Sequence, residues 1–168
     1  GDPGPSDPEA YLFQVETPTP EGDRLVYLVV SDNLDDEIDL GAAIELGGVS
    51  RLRTYNEKVY AFNGETFEVI RYGLDETNTP VEEDKFSLAN LGLQNIASAI
   101  AFVSDTRAVY VDANIQQIVI WDPTAMEIVN TIPFGNNFPA SAQIGRPAVT
   151  ADGKVLLATV GLDFTTFQ

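Results

Sequence analysis

Short β-patterned segments recur in this chain at a fixed offset, and that recurrence constrains the fold more than any other feature. The clearest copy runs from Ala101 to Phe134, AFVSDTRAVYVDANIQQIVIWDPTAMEIVNTIPF. Its strands are expected over Ala99–Val103, Arg107–Asp112, Gln116–Asp122 and Glu127–Phe134. Val, Ile and aromatic residues suit a pleated, half-buried surface, while Asp, Asn and Pro close the turns between strands. The turns fall at Ser104-Asp105-Thr106, Ala113-Asn114-Ile115 and Asp122–Ala125.

An earlier copy has strands at Val49–Tyr55, Lys58–Asn63, Thr66–Leu74 and Val81–Leu88, with Asn63-Gly64 as a strong hairpin signal. Lys58-Val59-Tyr60-Ala61 aligns with Ala108-Val109-Tyr110-Val111, fifty residues on. Val69-Ile70-Arg71-Tyr72 aligns with Val119-Ile120-Trp121-Asp122 at the same offset. A repeat of about fifty residues, each copy four strands, lies in the range of propeller blades.

A third copy starts after the loop Gly135–Gly145. It has strands at Arg146–Thr150 and Lys154–Thr159 around the turn Ala151-Asp152-Gly153. Ahead of the repeats, Tyr11–Glu16 alternates as a strand. Thr17–Asp23 is a turn. Arg24–Ser31 is apolar enough that both of its faces should be covered. Leu40–Leu46 reads as a short helix with acids at its N-terminal end. The fold class expected is all-β, part of a β-propeller of about three four-stranded blades plus an incomplete one. Residues 1–10, with three Pro and two Gly, form a flexible linker, and 11–168 form the partial propeller domain.

The segment Ile118–Gly161 resembles the YVTN-type propeller repeat, a relative of WD40-like blades. The resemblance rests on Asp122, Ile132-Pro133-Phe134-Gly135, Pro147, Asp152-Gly153-Lys154 and the apolar run Val155–Ala158, with an insertion at Asn136–Arg146. More loosely, the acidic, cysteine-free chain with its Pro-rich start is similar to exported propeller lipoproteins of Gram-negative bacteria. The resemblance implies an extracellular or periplasmic propeller, and a surface tether through the Pro/Gly-rich start.

Composition narrows the chemistry. The 168 residues contain no Cys and no His. Disulfides, thiolate metal sites, imidazole metal sites and Ser-His-Asp triads are thereby excluded, together with the usual general base near neutral pH. The net charge of −17 opposes binding to nucleic acid through the bulk surface. No apolar run approaches the roughly 20 residues of a membrane helix.

Candidate sites are few. Asp32, Asp35, Asp36 and Asp39 lie in a run of five carboxylates within eight residues and offer oxygen ligands for Ca²⁺. The run lacks the Gly and terminal Glu of an EF-hand loop, so a solvated turn is the plainer reading. Asn136, Asn137, Phe138 and Arg146 belong to the inserted loop, where a propeller rim would carry ligand contacts. Trp121 could be a stacking platform, but a packing aromatic is the stronger reading. Arg51, Arg53, Arg71, Arg107 and Arg146 are scarce cations that could hold an anion at a channel, or form ion pairs with turn aspartates. Asp105, Asp112, Asp122 and Asp152 are expected to close turns.

The function expected is binding or scaffolding without catalysis and with no cofactor unless Ca²⁺. The alternatives are a metal-dependent propeller enzyme, a lyase or lactonase-like hydrolase, and a subunit of an extracellular fibre. Three blades leave apolar sheet faces uncovered, so the partner expected is another propeller half: a second copy, a second chain, or the rest of a cleaved precursor.

Overall fold

The computed structural model describes residues 11–18, 20, 24–31, 44–46, 50–77, 79–97, 99–135, 143–144, 147–156 and 159–160. The protein is all-β. Its strands are β1 (Tyr11–Pro18), β2 (Arg24–Ser31), β3 (Ile44–Leu46), β4 (Arg51–Tyr55), β5 (Lys58–Phe62), β6 (Glu68–Leu74) and β7 (Pro80–Ser87). There follow β8 (Ile100–Ser104), β9 (Arg107–Asp112), β10 (Gln117–Asp122), β11 (Glu127–Pro133), β12 (Gln143–Ile144), β13 (Ala148–Val149), β14 (Val155–Leu156) and β15 (Thr159–Val160). The chain divides into two compact units, Gly1–Asp84 and Lys85–Gln168, with the divide inside β7. Among the described residues no helix is long and apolar enough to cross a membrane.

The first unit holds a three-stranded antiparallel sheet, β1-β2-β3, and a four-stranded meander, β4-β5-β6-β7. Ile44–Leu46, expected as the end of a helix, is a strand instead. It pairs with β2 through Val26↔Leu46 and Leu28↔Ile44. The reason is burial: Leu46 joins Leu52, Val59, Ala61, Ile70 and Tyr72 in one cluster, with Ile44 packed against it. Within the meander these positions alternate along β5 and β6 and form one buried face, while Tyr60, Phe62 and Val69 between them are buried on the other. Each fully buried aliphatic side chain there contributes roughly 1.5–3 kcal/mol.

Turn chemistry sets the strand ends. Asn56 and Glu57 both have positive φ, 49° and 62°, so β4 and β5 are joined by two left-handed residues, the type I′ arrangement that matches strand twist. The β5–β6 connection is longer. Asn63 Oδ1 accepts from the N–H groups of Glu65 and Thr66, at 2.9 and 3.1 Å. Phe67 N–H returns to the Asn63 carbonyl at 2.9 Å with φ of 56°. The left-handed residue is therefore Phe67, and Asn63-Gly64 opens a wider loop rather than forming a two-residue turn.

The second unit holds the second four-stranded meander, β8-β9-β10-β11. Trp121 is fully buried, with the rings of Phe86 and Phe102 each 5.5 Å from it. The connector ahead of β8 makes one 3₁₀ turn, Ala89–Leu91, and leaves it through Gly92 at φ 80°. Its Leu88, Leu93 and Ile96 are buried. Further on, β13 and β14 form a short hairpin closed by Thr150–Lys154, with Gly153 left-handed at φ 82°.

The central hairpins of the two meanders, β5–β6 and β9–β10, are equivalent residue by residue, but at an offset of 49, not the fifty that residue identity suggests. Val59 opposes Tyr72 and Ala61 opposes Ile70; 49 residues on, Ala108 opposes Trp121 and Tyr110 opposes Val119. The loops inside these two hairpins agree as well, since Asn63 and Phe67 correspond to Asp112 and to Gln116, which is left-handed at φ 51°. Among the described residues, the left-handed pair Asn56-Glu57 between β4 and β5 has no left-handed counterpart between β8 and β9. An offset of fifty would place Trp121, fully buried, opposite Arg71, which is half-buried.

Candidate functional site

The most developed polar constellation of the first unit spans three strands. Lys58 lies on β5, Arg71 and Gly73 on β6, and Glu83 on β7. Lys58 Nζ meets Glu83 Oε2 at 2.6 Å, and Arg71 Nε donates to Glu83 Oε1 at 2.9 Å. Lys58 and Glu83 sit on strands that flank β6, and they meet because β6 carries no side chain between them. A Cβ on Gly73 would stand 2.6 Å from Glu83 Oε2 and 3.1 Å from Lys58 Nζ.

The hydrogen bond from Lys58, then that from Arg71, outweighs partial desolvation and holds the Glu83 carboxyl below its ordinary pKa. Tyr60 faces Arg71 across the β5–β6 pair. Burial pushes its phenol up, and the Arg71 charge offsets part of that rise. With two cations on one carboxylate, the cluster is a cross-strand clasp. It holds no poised nucleophile or base.

The second unit has a buried counterpart. Asp112 is only 1% exposed. Its Oδ2 accepts from the Tyr110 hydroxyl at 2.8 Å, and its Oδ1 from the Asn114 N–H at 2.8 Å. The Tyr110 oxygen in turn accepts from the Ala97 N–H at 3.0 Å. Connector, strand and loop are tied through one tyrosine and one aspartate. Burial, with the Asp112 charge adding to it, drives the Tyr110 phenol far above its usual pKa, so it stays protonated.

The aspartates singled out in the sequence mostly act as turn closers. Asp122 Oδ1 accepts from the N–H groups of Thr124 and Ala125 at 2.8 and 2.9 Å. Asp152 accepts from the Thr150 hydroxyl and pairs with Lys154 at 3.2 Å. Asp105 contributes its main-chain carbonyl, which accepts from Thr124 Oγ1 at 2.6 Å. Asp75 closes a further turn: its Oδ1 takes the Thr77 hydroxyl and the N–H groups of Thr77 and Thr79, which hold its carboxyl below the usual range.

The arginines make strand and main-chain contacts. Arg71 pairs with a glutamate on a strand. Arg51, Arg53 and Arg107 donate to the neighbouring carbonyls of Ser50, Leu52 and Thr106. Trp121 packs between rings, as the plainer reading has it. The rim residues Asn136, Asn137, Phe138 and Arg146 lie outside the described residues, as do the acidic-run residues Asp32, Asp35, Asp36 and Asp39. Among the described residues, no three His, Cys, Asp or Glu come together as a metal-holding group.

Two signals for the clasp and the buried pair were present in the sequence. Gly73 interrupts an otherwise good strand, and Tyr110-Val111-Asp112 puts an acid on the same strand face as a core tyrosine.

Fold and site together define an all-β protein built from repeated four-stranded antiparallel meanders, with its polar side chains engaged in strand and turn closure. No protein-family model matches the chain, and no curated protein matches it.

Proposed function

We propose that these residues are a sector of a β-propeller of the YVTN type, a non-enzymatic binding or scaffold protein of the periplasm or cell exterior. Recognition falls to its loops and channel, and the ring is completed by further blades from the same precursor or another chain. The observation that carries this reading is the residue-level equivalence of the central hairpins, β5–β6 and β9–β10, of two tandem four-stranded meanders. Tandem four-strand units built around a common central hairpin are what stacked blades require.

The outer strands support it. Among the described strands, β7 and β11 each pair on one side only. The central residues of β7, Glu82, Glu83, Asp84 and Lys85, are exposed and charged. Strand β11 carries a register shift opposite Ile120/Trp121 and ends on Pro133. Charges, bulges and proline are the usual protection of a solvent-facing sheet edge.

Multi-angle light scattering on the purified chain, with native mass spectrometry of the particle from its source, tests the proposal. Association into a larger closed assembly is expected. A folded, monodisperse 18.2 kDa monomer that hides no apolar face in a partner would overturn it. A calcium titration is expected to leave the melting temperature unmoved. A large saturable rise would instead favour the metal-dependent enzyme reading, centred on Asp32, Asp35, Asp36 and Asp39.

A further inference from the structure

The Asn63-Gly64 step has covalent chemistry of its own. In such a pair the glycine nitrogen, uncrowded by a side chain, can lose its proton and attack the carboxamide carbon of the asparagine. The carboxamide C–N bond breaks, ammonia leaves with the proton, and a cyclic imide remains. Water then opens the imide. Addition at the former side-chain carbonyl yields aspartate; addition at the former main-chain carbonyl yields isoaspartate.

The β5–β6 loop holds both reacting groups. Asn63 Oδ1 already accepts two backbone N–H groups, from Glu65 at 2.9 Å and Thr66 at 3.1 Å. Donors placed there stabilise the negative charge that grows on this oxygen as the carbon becomes tetrahedral. The electrophile is primed. The nucleophile is withheld, because the Gly64 N–H donates to Ser50 Oγ at 3.1 Å. Ser50 is fully buried, so water cannot take over that hydrogen bond while the fold is intact.

We infer that Asn63 is a latent self-modification site, and that Ser50 keeps it unmodified by holding the Gly64 N–H. The second meander shows which product the loop can take. Asp112 stands at the equivalent position and Asp122 in a like loop, each with a carboxylate oxygen accepting a loop N–H. Aspartate at 63 therefore fits the loop as built. Isoaspartate routes the main chain through an extra methylene, and β6 loses its register with β5 at the Phe62↔Val69 pair.

Peptide mass spectrometry combined with an isoaspartate-specific methylation assay reads the conversion, in mildly alkaline buffer over days. The samples are the folded chain, the chain in urea, Ser50→Ala, and Ser50→Thr as the hydroxyl-retaining variant. Folded wild type is expected to convert several-fold more slowly than in urea. Ser50→Ala should approach the urea rate, and Ser50→Thr should stay slow. Amide hydrogen exchange on the same samples should show Ser50→Ala losing protection at Gly64 while Val59–Phe62 keep theirs. Should Ser50→Ala unfold the whole meander, wild type decides alone: across sub-denaturing urea, conversion must rise in step with Gly64 exchange. Equal rates in folded and unfolded wild type overturn the inference. So does exposure of the Gly64 amide without faster conversion.

Discussion

Asp112 has a hydrogen bond on each carboxylate oxygen and almost no contact with water, so its stability depends on its partners. Removing the phenol by Tyr110→Phe leaves a buried oxygen without its donor, and urea titration should show a loss of about 1–3 kcal/mol. The same tyrosine shapes the alkaline limb. Below the ordinary tyrosine pKa of 10.0 the phenol is protonated in both folded and unfolded chains. Above it the unfolded chain ionises first, because the folded pKa is raised, so stability falls as pH climbs. Tyr60 and Tyr72 shift in the same direction. Stability curves between neutral pH and strong alkali should therefore slope downward past pH 10.0, and less steeply in Tyr110→Phe. Glu83 works at the other limb. Its folded pKa lies below the ordinary 4.5, so its contribution is complete above 4.5 and is lost as pH falls through the lowered value. Gly73→Ala should weaken that acid dependence, since the new methyl occupies the path between Lys58 and Glu83. The loss at neutral pH should stay within about 1 kcal/mol, as the pair is partly exposed.

Among the elements, the β4–β5 hairpin offers the simplest test. Glu57 sits at φ 62°, a region that costs a non-glycine residue about 1–2 kcal/mol, whereas glycine enters it freely. The extra freedom glycine gives the unfolded chain offsets only part of that, so Glu57→Gly should raise the melting temperature, and a fall would contradict a strained turn. The strands themselves were legible. The eight strands of the two meanders, β4 to β11, fall within two residues of where alternation and turn residues put them. Three details were not. The Val-Tyr and Val-Ile matches place the repeat at fifty, while burial of Trp121 and Tyr72 on corresponding positions places it at 49. A one-residue slip exchanges the two faces of a strand, and identity alone does not say which face is buried. Asn63-Gly64 matches the two-residue hairpin pattern, yet the asparagine oxygen takes two downstream N–H groups and widens the loop. Ile44–Leu46 has too few residues for its period to be read, and a core pocket decided it. The clasp escaped notice because Lys58, Gly73 and Glu83 meet only once the registers of three strands are known.

For the whole molecule, repetition carries the argument. Two meanders that share the register and loop of their central hairpins, with charged or bulged outer strands, are suited to stacking in series. The same construction makes the two compact units separable in experiment. Tryptophan emission arises from one residue, Trp121, which is fully buried and belongs to the unit Lys85–Gln168. Its emission reports the packing around the indole, which includes Phe86 on β7, whereas circular dichroism sums over both units. Heated slowly, a chain whose units melt together will give one midpoint by either optical method. A dichroism trace that begins to fall while the emission colour holds steady would reveal that the first unit lets go alone, and a lone indole makes that distinction visible without any label.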